Sequence, residues 1–155
     1  MNNNIKVIPY EMTHAYAILD RNVREEDMWL SKSPDWEKWV RRWKEDGPGF
    51  TLIIDGEIVG CAGVALIGWN RGEAWTLLSS LFYKYKKTTF KAIRNMLNSI
   101  IEDKKLIRVQ AVIFKGTEKV CGNFLEHLGF ENETPSGMRG FGPNGETVLM
   151  YGRGC

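Results

Sequence analysis

The last third of the chain constrains the fold more than any other part of the sequence. Residues 106–114 (Leu-Ile-Arg-Val-Gln-Ala-Val-Ile-Phe) predict a buried strand, and residues 117–128 predict a helix that stops at Gly129. A strand, a Gly-rich hairpin at residues 141–146 and a closing strand at residues 147–151 follow. This order predicts the sheet-forming half of an α+β domain.

Helices are expected between a first strand at residues 5–8 and the Gly-Pro-Gly stop at residues 47–49. Thr13 is the expected N-cap of the first helix, and a short helical stretch covers residues 25–30. A third helix starts at residues 33–35, and its apolar residues recur at i, i+3, i+4 and i+7, namely Trp36, Trp39, Val40 and Trp43. This face predicts core packing, with an aromatic partner surface as the alternative.

A meander occupies the middle of the chain. An Asp-Gly turn at residues 55–56 joins strands at residues 50–54 and 58–67. Residues 73–82 are almost continuously apolar, as expected for a central strand, and an amphipathic helix runs from residue 88 or 89 to residue 102. The whole chain, residues 1–155, therefore predicts one α+β domain.

Composition excludes several classes of protein. The chain has 155 residues and a net charge of +2, too little to indicate nucleic-acid binding. No apolar run reaches the roughly 20 residues that span a bilayer, and the N-terminus lacks the pattern of a secretory signal. Cys61, Cys121 and Cys155 have no metal-site spacing, so we expect reduced thiols in the cytoplasm and no metal.

A basic cluster follows the central strand. No Asp or Glu occurs from residue 74 to residue 101, and the cluster consists of Lys84, Lys86, Lys87, Lys91 and Arg94. Unpaired N–H groups and the helix dipole favour an anion at the start of a helix. The cluster therefore predicts a phosphate or diphosphate site, and a solvated basic loop is the alternative. Exposed aromatic residues are too few there to favour single-stranded nucleic acid.

The order of elements, the sequence Phe-Leu-Glu-His-Leu-Gly-Phe at residues 124–130 and the closing Met-Tyr at residues 150–151 resemble the GNAT acyl-CoA N-acyltransferases. The resemblance implies a mixed, mostly antiparallel central sheet with helices on both faces. It also implies acetyl-CoA or CoA as cosubstrate, with the diphosphate on a loop of pattern V-x-P-x-x-R-x-x-G-x-G/A. In this chain Leu81, Tyr83 and Lys86 take the Val, Pro and Arg positions, whereas Thr89 and Lys91 replace the two glycines.

The resemblance also implies roles for individual residues. Backbone N–H groups from Leu78 to Leu81 are expected to hold the oxyanion, and the full set of expected cofactor-binding residues is Leu78, Ser79, Ser80, Leu81, Lys84, Lys86, Lys87, Thr88, Thr89 and Lys91. Glu73, at the start of the central strand, is the candidate general base, and a solvated surface residue is the alternative.

The residue at the general-acid position differs from the family pattern. Leu125 occupies the position of the tyrosine that protonates the thiolate in the family motif, so Tyr83, Tyr85 or Tyr151 would have to replace it.

Two functions follow from these features. The first is an N-acyltransferase in which an amine of a small molecule or protein attacks acetyl-CoA directly in a ternary complex. The second is a non-enzymatic GNAT-like protein that acts by binding a partner. Residues 24–27 and 74–78 resemble small GNAT-like proteins of T7-like phages, so virion assembly is one example of such a binding role. The sequence leaves open whether the protein forms a homodimer or binds an assembly partner, and which amine is the acceptor.

Overall fold

The computed structural model describes residues 2–155 and is organised around one seven-stranded sheet. Its strands are β1 (Ile5–Pro9), β2 (Gly49–Ile54), β3 (Glu57–Gly68), β4 (Arg71–Leu78), β5 (Arg108–Phe114), β6 (Glu131–Asn132) and β7 (Val148–Gly154). Their order across the sheet is β1-β2-β3-β4-β5-β7-β6, and among these described strands only the β4–β5 pair is parallel. The expected mostly antiparallel α+β architecture is confirmed.

Helices cover both faces of the sheet, as expected. They are α1 (Met12–Arg21), α2 (Met28–Lys32), α3 (Trp36–Glu45), α4 (Lys86–Lys104) and α5 (Asn123–His127). The first three pack on one face and the last two on the other. The other helical segments of residues 2–155 are short 3₁₀ turns at Glu25–Asp27 and Ser80–Tyr83 and a π-helical turn at Glu118–Gly122.

The α1–α3 face is held by stacked aromatic rings. Trp43 of α3 lies parallel to Trp75 of β4 with ring centroids 4.4 Å apart, and the Tyr10 hydroxyl donates to the Val40 carbonyl. Val40 and Trp43 are buried, whereas Trp36 and Trp39 are half-buried. The prediction that this helix face packs in the core is therefore confirmed at its centre.

The opposite face is a larger aliphatic core. Ile93, Leu97 and Ile100 of α4 pack with Val109 of β5 and Leu149 of β7. Each such side chain, when fully buried, contributes about 1.5–3 kcal/mol. This core fixes α4 against the sheet and so fixes where the basic cluster lies.

Several element boundaries differ from the sequence-based expectation. The central strand ends at Leu78 rather than residue 82, because the Ser79 hydroxyl donates to Val59 O and accepts from the Leu81 N–H, which turns the backbone into a 3₁₀ turn. Helix α4 begins at Lys86, before the expected residue 88 or 89. The last helix is divided into the π-helical turn and α5.

The N-cap of α1 also differs from the prediction. Glu11, and not Thr13, is the N-cap residue, and its N–H donates to Nδ1 of His14. The helix therefore starts two residues earlier than Thr13 indicated.

Neither a membrane span nor a metal cluster is present in residues 2–155. No helix in this range has the length and apolar character needed to cross a bilayer. The same range holds no group of three or more His, Cys, Asp or Glu side chains placed to bind a metal ion.

Candidate active site

The two parallel strands β4 and β5 pair only where they begin. Their register joins Arg71 to Arg108, Gly72 to Val109 and Glu73 to Gln110. Beyond Glu73, β4 continues to Leu78 without a register partner on β5. We call the space between residues 74–78 and residues 111–114 the β4–β5 cleft.

Backbone alternation decides which β4 amides face this cleft. The Ser79 N–H points to β3, where it donates to Val59 O at 2.8 Å. The Leu78 N–H therefore points to the opposite side, and the N–H of Thr76, two residues earlier, points the same way. Sequence reasoning missed Thr76, although its place two residues before Leu78 in the strand was a usable signal.

The cleft-facing edge of β4 is covered by another segment at the C-terminal end of the strand. The N–H of Arg24 donates to Leu78 O at 3.0 Å, the N–H of Ser80 donates to Asn22 O at 2.7 Å, and Val23 forms an antiparallel bridge with Ser79. Residues 22–27, which we call the covering segment, thus pair with the side of β4 that would otherwise face the cleft.

A buried ion pair completes this contact. Asp27 Oδ2 accepts from Arg24 Nε at 2.7 Å and from the Leu78 N–H at 2.9 Å. Both residues are only 7% exposed, and the Arg24 guanidinium also lies over the Phe82 ring. Burial raises the pKa of the Asp27 carboxyl, and Arg24 with the Leu78 N–H opposes that rise by stabilising the anion.

The four amides expected to hold an oxyanion therefore all have acceptors within the protein. Leu78 donates to Asp27, Ser79 to Val59 O, Ser80 to Asn22 O, and Leu81 to the Ser79 hydroxyl at 3.3 Å. Among the β4 amides that face the cleft, the N–H of Thr76 is the one that precedes the N–H of Leu78, which Asp27 already occupies. The oxyanion role of residues 78–81 stays a prediction.

The basic cluster lies at the start of α4, as the sequence indicated. The N–H groups of Lys86, Lys87 and Thr88 have no acceptor within residues 2–155, and the first turn has no acidic residue. None of the five cations of the cluster forms an ion pair with a described residue. Unpaired amides together with uncompensated positive charge form a site suited to a phosphate or diphosphate.

The lysines of the cluster are exposed but differ in their surroundings. Lys84 Nζ lies 5.2 Å from the centre of the Tyr85 ring, and Lys86 Nζ lies 5.8 Å from the centre of the Tyr83 ring. Lys87 and Lys91 are four residues apart, so they project from the same face of α4. The structure thus brings these lysines together around one helix end.

The two threonines are not equivalent. Thr88 is half-buried in the first turn beside the lysines. Thr89, at the first glycine position of the family pattern, is 1% exposed, and its hydroxyl has no partner among residues 2–155. Its side chain lines a cavity of about 20 Å³ between α4 and the sheet, away from the exposed lysines. The structure therefore does not bring its hydroxyl to the helix start.

Glu73 lies at the closed end of the cleft. Its side chain shares the α1–α3 face with Trp75 and Leu77, because alternate residues of a strand point the same way. Burial raises the pKa of the Glu73 carboxyl, and the charge of Arg42 on α3 opposes the rise. A half-buried carboxylate with a raised pKa is a stronger base than a solvated one, which suits a role in proton transfer.

The candidate tyrosines differ in their availability. The Tyr83 hydroxyl donates to the Glu26 carboxylate, and burial together with this bond raises the pKa of Tyr83 to about 12. Tyr151 is buried, which raises its pKa, and its hydroxyl packs against Gly122 in the π-helical turn. The hydroxyl of Tyr151 is therefore the one that lies beside the last helical segment.

Solved structures show a clear likeness to this architecture. An acetyltransferase of the GNAT family from Bacillus anthracis superposes with a TM-score of 0.70 at 15% identity, covering 97% of this chain and 94% of that chain. The ribosomal-protein-S18-alanine N-acetyltransferase from Escherichia coli gives 0.69 at 12% identity, covering 97% and 94%. A GNAT acetyltransferase from Elizabethkingia anophelis with acetyl-CoA bound gives 0.66 at 10% identity, covering 98% and 99%.

The chain has the GNAT fold. The resemblance stated from the sequence is thereby confirmed for the architecture. No protein-family model matches the sequence, and no curated protein matches it significantly. On the GNAT fold of this chain, the basic cluster, the β4–β5 cleft and Glu73 lie along one central strand and the helix that follows it.

Proposed function

We propose that the chain is an acetyl-CoA-dependent N-acyltransferase that moves an acyl group to an amine by direct attack in a ternary complex. One observation carries the proposal: unpaired amides and lysines lie at the start of α4, which follows, after one 3₁₀ turn, a central strand that pairs with its parallel neighbour only where both begin. Solved structures with the same fold include one with acetyl-CoA bound, and this supports the choice of thioester.

The basic cluster fits the diphosphate of CoA. The N–H groups of Lys86, Lys87 and Thr88 are oriented by the helix, and the ammonium groups of Lys87 and Lys91 supply charge from one face. Lys84 and Lys86 add further charge beside the 3₁₀ turn. Thr89 and Lys91 carry side chains where the family pattern has glycines, so close approach of the backbone is hindered and side-chain charge contributes a larger share of the binding.

The chemistry is assigned to β4. Glu73 receives the proton of the attacking amine through water, which its raised pKa favours. The new C–N bond replaces the C–S bond of the thioester, and CoA leaves as its thiolate. The cleft-facing N–H of Thr76, with those of Leu78 and Ser80 when they are released, stabilises the negative charge on the thioester oxygen during attack. The acceptor is an amine of a small molecule or of a protein; the Escherichia coli structure named above is an alanine N-acetyltransferase for a ribosomal protein.

Calorimetric titration with acetyl-CoA tests the proposal. Lys86→Ala and Lys87→Ala are each expected to weaken binding by roughly tenfold, since a hydrogen bond to a charged group is worth about 1.5–3 kcal/mol. Lys104→Ala, at the other end of the same helix and paired with Asp103, is the matched control and should leave the affinity unchanged. Absence of heat at sub-millimolar acetyl-CoA, with the protein folded, contradicts the proposal.

A second candidate is a non-enzymatic protein with the GNAT fold that acts by binding a partner, for example during phage virion assembly. The pairing of the covering segment with Leu78 and Ser80 favours it, because that edge of β4 is no longer free for a ligand. This candidate predicts a folded protein for which titration with acetyl-CoA gives no heat.

A further inference from the structure

We propose that the covering segment, residues 22–27, is an internal gate that closes the β4 edge against acyl-CoA and withdraws when the thioester binds. This inference rests on the proposed acyltransferase function. A movable gate explains why the start of α4 is open to an anion while the neighbouring edge of β4 is closed.

The gate occupies backbone groups that a ligand in the cleft would use. It accepts from the N–H groups of Leu78 and Ser80 and donates to Leu78 O. These groups lie on the side of β4 that faces the cleft, between Thr76 and the basic cluster. An extended thioester arm that joined a diphosphate at α4 to Glu73 would have to pass along this edge.

The gate also spans the mouth of the cleft. Immediately after it, Trp29 of α2 packs edge-to-face on Phe114 at the end of β5, with ring centroids 5.4 Å apart. The chain therefore crosses from the end of β4 to the end of β5, the two ends that the short β4–β5 pairing leaves apart.

Polar contacts hold the gate closed. They are the Arg24–Asp27 ion pair, the Asp27 bond to the Leu78 N–H, the backbone bonds of Asn22 and Arg24, and the bond from Tyr83 to Glu26. Within residues 22–27 the sole aliphatic side chain is Val23, which is half-buried, while Ile18 of α1 and Leu30 of α2 are buried on either side. The flanking helices can therefore stay packed while the segment between them moves, because local opening follows the low density of apolar contacts.

The gate carries negative charge, as does the ligand that it excludes. Its residues Glu25, Glu26 and Asp27 are acidic, and Glu26 reaches the Tyr83 hydroxyl, whose ring lies under Lys86. A bound diphosphate competes with these carboxylates for the positive potential of the basic cluster. Binding of an anionic ligand and departure of the gate are thus coupled, because the negative charge of each disfavours the presence of the other beside the basic cluster.

A closed gate lowers the apparent affinity for acyl-CoA by the fraction of molecules that are open. The double variant Arg24→Met with Asp27→Leu replaces the ion pair by apolar side chains and removes the acceptor from the Leu78 N–H. Loss of a hydrogen bond to a charged acceptor should raise the affinity for acetyl-CoA by about tenfold or more.

Calorimetry with acetyl-CoA on three proteins tests the gate. These are the wild type, the Arg24→Met/Asp27→Leu variant, and a control Lys38→Met/Asp35→Leu, which removes an exposed pair of the same spacing. The expected result is tighter binding in the first variant alone. Equal or weaker binding in that variant, with the wild type binding, overturns the gate and leaves the acyltransferase proposal standing. No binding in any of the three overturns both.

A second variant decides the matter if the double variant does not fold. Tyr83→Phe removes the bond to Glu26 and keeps the ring beneath Lys86. It should bind acetyl-CoA roughly threefold more tightly than the wild type, because one hydrogen bond of the closed state is lost. Unchanged or weaker binding in this exposed variant overturns the gate.

Discussion

Truncation of Arg24 to alanine is expected to destabilise the protein strongly. The substitution leaves the Asp27 carboxylate buried, with the Leu78 N–H as its only hydrogen-bond donor among residues 2–155. The Arg24 and Asp27 side chains are 7% and 10% exposed and 2.7 Å apart, so neither is compensated by water. Removing one partner of such a buried pair costs about 3–5 kcal/mol. For a chain of this size that corresponds to a Tm lower by about 6–20 °C.

Lys38→Ala provides the matched control. Lys38 and Asp35 have the same three-residue spacing as Arg24 and Asp27, but their side chains are 79% and 60% exposed and 3.5 Å apart. An exposed pair of this kind is worth about 0–1 kcal/mol. Chemical denaturation of both variants, with equal m-values, gives the two free-energy differences directly. A loss below about 1 kcal/mol in Arg24→Ala would refute the claim that the covering segment is held by a desolvated ion pair.

Three further outcomes follow from the same contacts. Nδ1 of His14 accepts from the Glu11 N–H and faces the Thr51 hydroxyl at 2.7 Å, and burial lowers the pKa of His14. The contribution of neutral His14 to the free energy of unfolding should therefore be complete above about pH 6.5 and should fall as the pH drops through the pKa of the folded state. The variant His14→Asn should flatten this dependence of Tm on pH. Carbon-13 NMR titration should place the pKa of Glu73 above the usual value of about 4.3, and Arg42→Ala should raise it further; a fall in Arg42→Ala contradicts the assignment. Gly63→Ala would put a methyl group 2.5 Å from Pro48 O and 2.8 Å from Gly49 Cα, so it should lower the free energy of unfolding by about 1–3 kcal/mol, while Gly154→Ala, with open space around it, should not.

Local signals in the sequence predicted most of the fold. The Asp-Gly turn at residues 55–56 does join β2 to β3, and Val40 and Trp43 of the aromatic helix face are buried. The start of α4 was placed two or three residues late. Lysines at residues 86 and 87 oppose the helix dipole, so the sequence favoured a loop there, whereas the core packing of Ile93 and Leu97 carries the helix through them.

The closed edge of the candidate site could not be predicted from the sequence. Residues 24–27 (Arg-Glu-Glu-Asp) have the composition of a solvated helix start, yet Arg24 and Asp27 are buried. Their partner, the Leu78 N–H, lies 51 residues away from Asp27, and no local periodicity reports such a contact. In contrast, the basic cluster is local in sequence, so its position at a helix start could be predicted.

An amide NMR titration with acetyl-CoA tests the central claim most directly, namely that the start of α4 holds the diphosphate of a thioester. The account predicts that the amide resonances of Lys86, Lys87 and Thr88 shift first, that those of Leu78 and Ser80 shift with them, and that the exposed Trp69 at the far turn does not respond. Unchanged amide resonances at the start of α4, at acetyl-CoA concentrations that saturate the protein's other responses, would contradict it.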